Sequence, residues 1–239
     1  MRKIQKLTAL TMGDFAQIMA KAYPGLKATA PQEIERMKYR LVEQSEDPAI
    51  HFYGLYQTNR LVGGMRLNDF QMQFVSQQIK VGGLGSLAVD LLHKKEKVAK
   101  ALITYFIDHY RAQESPLLLL YAFRPDFYKK MGFGYGPKMN EYRIQPANMP
   151  RYTVDSEKLT FLKSFDKASL YDCYQRVMGQ THGLLAKSAY DLGQIFQNSK
   201  NNVVAYRSGH QIQGYLIFRF DTDRPDNMLF NHIYVSEFI

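Results

Sequence analysis

The sequence predicts an α/β chain in which a mixed central sheet is flanked by helices, built as two copies of which the second is incomplete. Three observations predict it. Amphipathic helical stretches alternate with apolar, strand-like runs along the whole chain. The run PLLLLYAF (116–123) is short, wholly apolar and preceded by a long helix, as in a parallel strand–helix–strand unit. The order helix, helix, hairpin, strand occurs once in the first half and again after residue 165.

The elements of the first copy can be justified in turn. TMGDFAQIMAKAY (11–23) puts Phe15, Ile18, Met19 and Tyr23 on one helical face, with Asp14 as the expected N-cap and Pro24-Gly25 as the stop. PQEIERMKYRLVEQ (31–44) is a second helix with Pro31 in its first turn. Residues 50–74 read as two aromatic-rich strands joined by a turn at Thr58-Asn59-Arg60. GSLAVDLL (85–92) is the expected third strand. Gly82-Gly83-Leu84-Gly85 precedes a strand rather than a helix, so it reads as a flexible hairpin connection and not as a phosphate loop. KKEKVAKALITYFIDHYRAQ (94–113) is a helix, apolar at Val98, Ala101, Leu102, Tyr105, Phe106 and His109, and residues 116–123 are a central buried strand. FYKKMGFGYG (127–136) follows, where Gly132, Gly134 and Gly136 predict a sharp turn and close backbone approaches.

The second copy repeats the first half of this plan. Residues 165–183 and 186–199 are helices, residues 202–220 a hairpin turning at Ser208-Gly209, and NMLFNHIYVSEFI (227–239) a third strand. FYGLYQTNRLVGGMRL and VVAYRSGHQIQGYLIF both run strand, polar turn, apolar residue, glycine, strand. The polar stretch 144–158 separates the copies, giving expected domains at 1–148 and 149–239. The helix and buried strand that complete the first copy have no counterpart before Ile239. An apolar edge containing Ile233, Tyr234, Val235, Phe238 and Ile239 is therefore expected to self-associate, or to be disordered after about residue 225.

Bulk composition narrows the function classes. At 46% hydrophobic and 22% charged residues the chain has the composition of a soluble globular protein. Its single cysteine, Cys173, permits no internal disulfide, no segment reads as a signal or membrane span, and a cytoplasmic location is expected. The net charge of +9 favours an anionic partner. His51, His93, His109, His182, His210 and His232 have no metal-ligand spacing, so no structural metal is expected.

The cations cluster where an anion would be useful. Lys94, Lys95, Lys97 and Lys100 stand at the start of a helix that follows a strand, the end of the dipole that disfavours cations. An anion held by the free N–H groups there would offset that cost. In a parallel strand–helix–strand unit ligands bind beyond the C-terminal ends of the strands, which puts Lys94–Lys100 and Arg124–Tyr128 on one rim. Tyr128 is then a neutral O–H donor beside a cationic rim, able to protonate a leaving group. A solvated lysine face, with Tyr128 packed under the glycine turn, is the alternative physical reading.

SLAVDLLHKKEKVAKAL followed by FRPDFYKKMGFGYG resembles the acetyl-CoA-binding core of the GNAT N-acetyltransferases. More narrowly, the YKKMGFGYG turn and the repeated helix–helix–hairpin plan resemble the enhanced intracellular survival (Eis) family, with its tandem GNAT-like domains. The resemblance implies an N-acetyltransferase that moves acetyl from acetyl-CoA, as co-substrate, to the primary amine of an aminoglycoside, a polyamine or a lysine side chain. Leu87, Ala88 and Val89 would offer backbone groups to the pantetheine arm. Lys95, Glu96, Lys97, Val98, Ala99 and Lys100 would form the pyrophosphate loop and first helical turn, with Phe123 and Arg124 against the cofactor. Tyr128 would be the general acid that reprotonates the coenzyme A thiolate. The family's loop has a glycine where this chain has Lys97, and Glu96 suits a phosphate only if it points away. Family members continue into a sterol-carrier-like domain whose terminal carboxylate serves as base, a part this sequence lacks, so no base is assigned.

An acidic acceptor pocket would suit a cationic amine, with Glu33, Glu35 and Asp69 as candidates. No nucleic-acid or membrane partner is expected, and a homo-oligomer is. Two other functions fit the residues: an acyl-CoA-binding protein without catalysis, motivated by Lys97, and a basic nucleic-acid-binding module, motivated by the charge and the 13% aromatic content.

Overall fold

The computed structural model describes residues 2–136, 155–220 and 233–239. The first sheet has the order β1-β2-β3-β4-β5. Its strands are β1 (Arg2–Lys6), β2 (Ile50–Gln57), β3 (Arg60–Phe74), β4 (Gln77–Val89) and β5 (Leu117–Leu120), and only the β4–β5 pair is parallel. The helices are α1 (Met12–Ala22), α2 (Pro31–Ser45), α3 (Val98–Arg111) and the short α4 (Pro125–Lys129). Successive residues of β3 show the layering. A Cβ on Gly63 would meet Val98 and Leu102 of α3, and one on Gly64 would meet Phe15 of α1. Neighbouring strand residues point to opposite faces, so α1 and α2 cover one face and α3 the other.

Thr58 and Asn59 both have positive φ (49° and 61°), the conformation of the two-residue hairpin that the Thr58-Asn59-Arg60 turn predicts. Several boundaries differ from expectation, each for a physical reason. Thr11 is the N-cap of α1 and Asp14 lies inside its first turn. The third strand begins at Gln77 and absorbs Gly82-Gly83-Leu84-Gly85, which is no hairpin connection. These glycines answer to packing: a Cβ on Gly82 would stand 2.4 Å from the Tyr110 ring, and one on Gly83 2.3 Å from Phe70. Rings on both faces press onto the strand. β5 is the outermost strand among the described residues and is half-buried, not central. Gly132 takes its turn at φ +93°, but Gly134 and Gly136 have open space around them rather than a close approach. β1 was not foreseen, because the five-residue RKIQK edge strand carries a single apolar residue.

The second sheet, in the order β6-β7-β8-β9, comprises β6 (Leu159–Phe161), β7 (Asn202–Ser208), β8 (Gln211–Phe220) and β9 (Ile233–Phe238). It packs on α5 (Lys167–Met178) and α6 (Ala189–Gln197) through a core of Leu170, Cys173, Met178, Ile212 and Ile217. The β7–β8 turn is at Gly209-His210, one residue later than expected, with Gly209 at φ +59°. Residues 233–238 pair with β8, whereas 221–232, on which part of the expected disorder falls, lie outside the described residues, as do 144–154 of the separating stretch. The two units are joined by backbone: Gly183 N–H to Gln73 O (2.7 Å), Gln73 N–H to Leu184 O (2.9 Å) and Ala186 N–H to Gln71 O (2.7 Å). Among the described residues no helix is long and apolar enough to cross a membrane.

Candidate active site

β4 and β5 pair only from Val81↔Leu117 to Leu84↔Leu120, while β4 runs on to Val89, so the two strands part beyond Leu84. At the same place β4 bulges. Arg66 faces Gly85 and Gly64 faces Ala88, which leaves Met65 alone opposite Ser86 and Leu87, with Ser86 at φ +48°. The Asp90 N–H donates to Val62 O (2.9 Å). By the alternation of an antiparallel ladder, Ala88 then turns its N–H and C=O to β3, and Val89 turns its own to the parted side. Leu87's carbonyl accepts the hydroxyl of Tyr23 (2.5 Å).

The segment after β4 forms a lysine loop. Asp90 caps a short turn by accepting Leu92 N–H (3.1 Å), and its carboxylate also holds Arg60 (2.9 Å). Lys95 (φ 68°) and Lys97 (φ 63°, ψ 18°) both adopt the left-handed conformation. Lys97 is thus the N-cap of α3 in a backbone state that suits glycine, at a cost of about 1–2 kcal/mol for a residue with a Cβ. The first intrahelical bond of α3 is Ala101 N–H to Lys97 O (3.0 Å), which leaves the amides of Val98, Ala99 and Lys100 without a helical partner. Lys94, Lys95, Lys97 and Lys100 are exposed around them.

Glu96 does not face this cluster of donors. Its carboxylate accepts from His93 Nδ1 (3.2 Å) and Arg2 Nη2 (3.3 Å), and Arg2 Nη1 also donates to its backbone carbonyl (2.8 Å). The His93 bond is the main reason its carboxyl is held below the usual range. Edge strand β1 thereby pins the loop and turns the Glu96 carboxylate aside.

Tyr128 lies in α4 on the other rim. Its ring is buried, edge-on to Phe127 (5.2 Å) and Phe133 (6.2 Å). No described residue bonds its hydroxyl, and Oη is not among the fully buried unpaired atoms, so the phenol reaches solvent. Burial raises its pKa above the ordinary phenol value and keeps it protonated at neutral pH. Tyr23 is the neighbour that sequence reasoning missed, since it read only as the last apolar position of α1. Burial, then the nearby Tyr128, push the Tyr23 phenol up to about 12. Its ring meets Phe123 edge-on at 6.1 Å. Phe123 is otherwise exposed on the rim, and Arg124 is held by Asp126 (2.9 Å).

The acidic candidates do not converge here. Glu33 accepts the N–H groups of Thr29 and Ala30 (2.8 and 2.9 Å), and Glu35 pairs with Lys38 (2.8 Å). Asp69 is taken by Tyr110 (2.7 Å) and His51 (3.0 Å) at the far end of α3. Among the described residues no group of three or more His, Cys, Asp or Glu could hold a metal ion.

The fold that carries these features has counterparts among known proteins. A family model described as an acetyltransferase (GNAT) domain matches residues 3–136. A GCN5-related N-acetyltransferase from Kribbella flavida superposes with a TM-score of 0.74 at 14% identity, over 100% of this chain and 58% of its own. Eis1 from Mycobacterium abscessus gives 0.73 at 18% identity, over 100% of this chain and 59% of its own. A probable N-acyltransferase from Enterococcus faecalis V583 gives 0.73 at 17%, over 93% of this chain and 56% of its own. These likenesses are of fold, and this chain spans less than two thirds of each of those proteins. No curated protein sequence matches it. Because the family model covers more than half of the chain and that stretch holds both rims of the cleft, this chain belongs to the GNAT acetyltransferase family.

Proposed function

We propose that the chain is an acetyl-CoA-dependent N-acetyltransferase acting on a primary amine, with Tyr128 as general acid. The observation that carries the reading is the state of that phenol. It is buried by its ring, protonated, bonded at Oη by no described residue, and set at the rim where β4 and β5 part. Acetyl-CoA supplies the acetyl thioester and a thiol leaving group. The backbone of Val89, turned to the parted side, suits the pantetheine arm; Leu87's carbonyl is held by Tyr23, which leaves its N–H for that role, and Ala88 packs in the core beneath. The amides of Val98, Ala99 and Lys100, with Lys95 and Lys97, suit the pyrophosphate. Glu96 serves this site by being tied to Arg2 and His93. Phe123 and Arg124 border the rim.

In the reaction the amine nitrogen forms a bond to the acetyl carbon as the carbon–sulfur bond breaks. The sulfur takes the Tyr128 proton, and the proton shed by nitrogen returns to the phenolate through water. A free thiol near 8.5 and a phenol near 10 make the first transfer uphill, and burial raises Tyr128 further, so hydrogen bonding to the developing phenolate must narrow the gap. In this reading residues 1–148 hold the site and residues 149–239 form the second, GNAT-like unit. Exposed Tyr234, Val235 and Phe238 on β9, the outermost strand of its sheet among the described residues, support self-association, which light scattering tests.

The decisive experiment pairs calorimetry with acetyl-CoA and thiol release across a panel of amines. Binding with amine-dependent release is expected. Binding without release from any amine would favour an acyl-CoA-binding protein, and salt-sensitive RNA or DNA binding without acetyl-CoA binding would favour the nucleic-acid module.

A further inference from the structure

Arg66 lies on β3 opposite Gly85, the residue just before the β4 bulge. Its side chain leaves the sheet on the α1–α2 face, where Nη1 donates to Gln44 Oε1 (3.1 Å). Gln44 Nε2 in turn donates to the hydroxyl of Tyr190 (3.0 Å), whose backbone N–H is held by Asp47 (3.0 Å). Gln44, Tyr190 and Asp47 thereby join the first unit to α6 of the second. The other edge of the guanidinium is unused. Nε is buried and has no hydrogen-bond partner, and no described residue engages Nη2.

Those two nitrogens belong together. Nε–H and one Nη2–H point the same way and form the side-on edge by which arginine holds a carboxylate through two parallel bonds. Gly85 keeps that edge uncovered by a side chain: a Cβ there would stand 3.1 Å from Nη2 and 3.2 Å from Nε. The charge is equally unanswered at close range. Asp191 is near enough to favour the cation, but its carboxylate accepts the Ser188 N–H (3.1 Å) and bonds no nitrogen of Arg66. Proteins seldom leave a buried cationic N–H unpaired, so a bare one calls for a water, an ion or a ligand group. Gly85 is two residues from Leu87, at most about 7 Å of extended chain, so such a partner would lie beside the candidate acetyl-transfer cleft.

We propose that Arg66 recognises a carboxylate on the acetyl acceptor, so that the substrate class is an amine that also bears a carboxylate, rather than a polycation. The proposal rests on the acetyl-transfer reading above. A carboxylate fits better than a phosphate dianion, because the open edge offers two donors and the adjoining Gln44 and Tyr190 are neutral. The acids expected to make a pocket for polycations are spent elsewhere: Glu35 on Lys38, and Asp69 on Tyr110 and His51.

The test uses matched amines: amino acids against their carboxamides, with phosphoethanolamine as the phosphate probe. The wild type should prefer the carboxylates by about ten- to a hundredfold in kcat/KM. Arg66→Met should abolish that preference while the KM for acetyl-CoA stays put. Arg66→Lys, which keeps the charge without the fork, should recover only part of it. Gly85→Ala keeps the arginine, crowds its open edge and should also lose the preference. Equal turnover of acids and amides by the wild type would overturn the proposal, as would a preference for phosphoethanolamine. If no amine is turned over, the acetyl-transfer reading fails, and calorimetry then decides on Arg66 by itself. Binding of N-acetyl amino acids, but not of their amides, that disappears in Arg66→Met upholds the carboxylate site; equal binding overturns it.

Discussion

The two sheets share one backbone plan and use it differently. Gln57↔Arg60, Tyr56↔Leu61 and Leu55↔Gly63 in the first hairpin are matched, at one constant offset along the chain, by Ser208↔Gln211, Arg207↔Ile212 and Tyr206↔Gly214 in the second. The same offset carries Leu67↔Leu84 onto Phe218↔Val235 and Gly64↔Ala88 onto the Tyr215–Ile239 pair. Both hairpins bulge at the same residue, and both third strands carry one extra residue shortly after it, opposite Met65 in the first sheet and between the Ile217 and Phe218 pairings in the second. The side chains diverge at that second bulge. In the first sheet it holds Ser86 and Leu87 and faces a cleft. In the second the extra residue is Ser236, and beside it Glu237 accepts from Lys187 (2.6 Å) and from the Tyr215 hydroxyl. Lys187 also stands 4.4 Å above the Tyr174 ring. A conserved irregularity of backbone therefore decides where a site can be, and the residues on it decide whether it is open or filled.

The sharpest way to break this comparison is Tyr128→Phe. It should lower kcat by about a hundredfold or more with little change in acetyl-CoA binding, measured by thiol release and calorimetry. Unchanged turnover would take Tyr128 out of the reaction and leave neither unit with an assigned acid. Lys187→Met is the matching change in the second unit. Removing one partner of a mostly buried ion pair should destabilise that unit by about 3 kcal/mol in urea unfolding, with acetyl-CoA affinity retained. A loss of affinity would show that the units act as one.

Lys97→Gly tests the lysine loop that follows β4 in the first unit. Relief of the left-handed lysine should raise stability by up to about 1 kcal/mol. Acetyl-CoA should bind more weakly, with a shallower salt dependence, because a cation near the phosphates is gone. The smallest effect concerns alkali. Tyr23, Tyr53 and Tyr174 are pushed up to about 12, mainly by burial. Raised folded pKa values stabilise the fold fully below the unfolded phenol value near 10, and that contribution is lost as pH climbs from there towards 12. Thermal melts across pH 9–12 should show this decline, and Tyr23→Phe should make it shallower.

The elements built from local pattern were legible in the sequence. α1, α2, α3, both hairpins and the repeat announced themselves through apolar periodicity and turn residues, and the lysine loop through its position between strand and helix. β4 was half-read, because three glycines look like a connection until Tyr110 and Phe70 are seen packing onto them. Tyr23 gave no signal of its meeting with Leu87, nor Arg2 of its hold on Glu96, since those partners are far apart in the chain.

What the sequence determined by itself is the order of elements, the duplication, and a cationic loop followed by Tyr128. These follow from forces acting within a few residues: periodic burial, turn conformations and helix ends. What only the tertiary structure decided is which polar groups are already spent and which are free. Glu96, Asp69 and Leu87's carbonyl are taken by partners from other elements, while among the described residues Tyr128 Oη and the Nε edge of Arg66 have none. Hydrogen-bond satisfaction is a property of the packed molecule, because the partner of each group arrives with a different strand or helix.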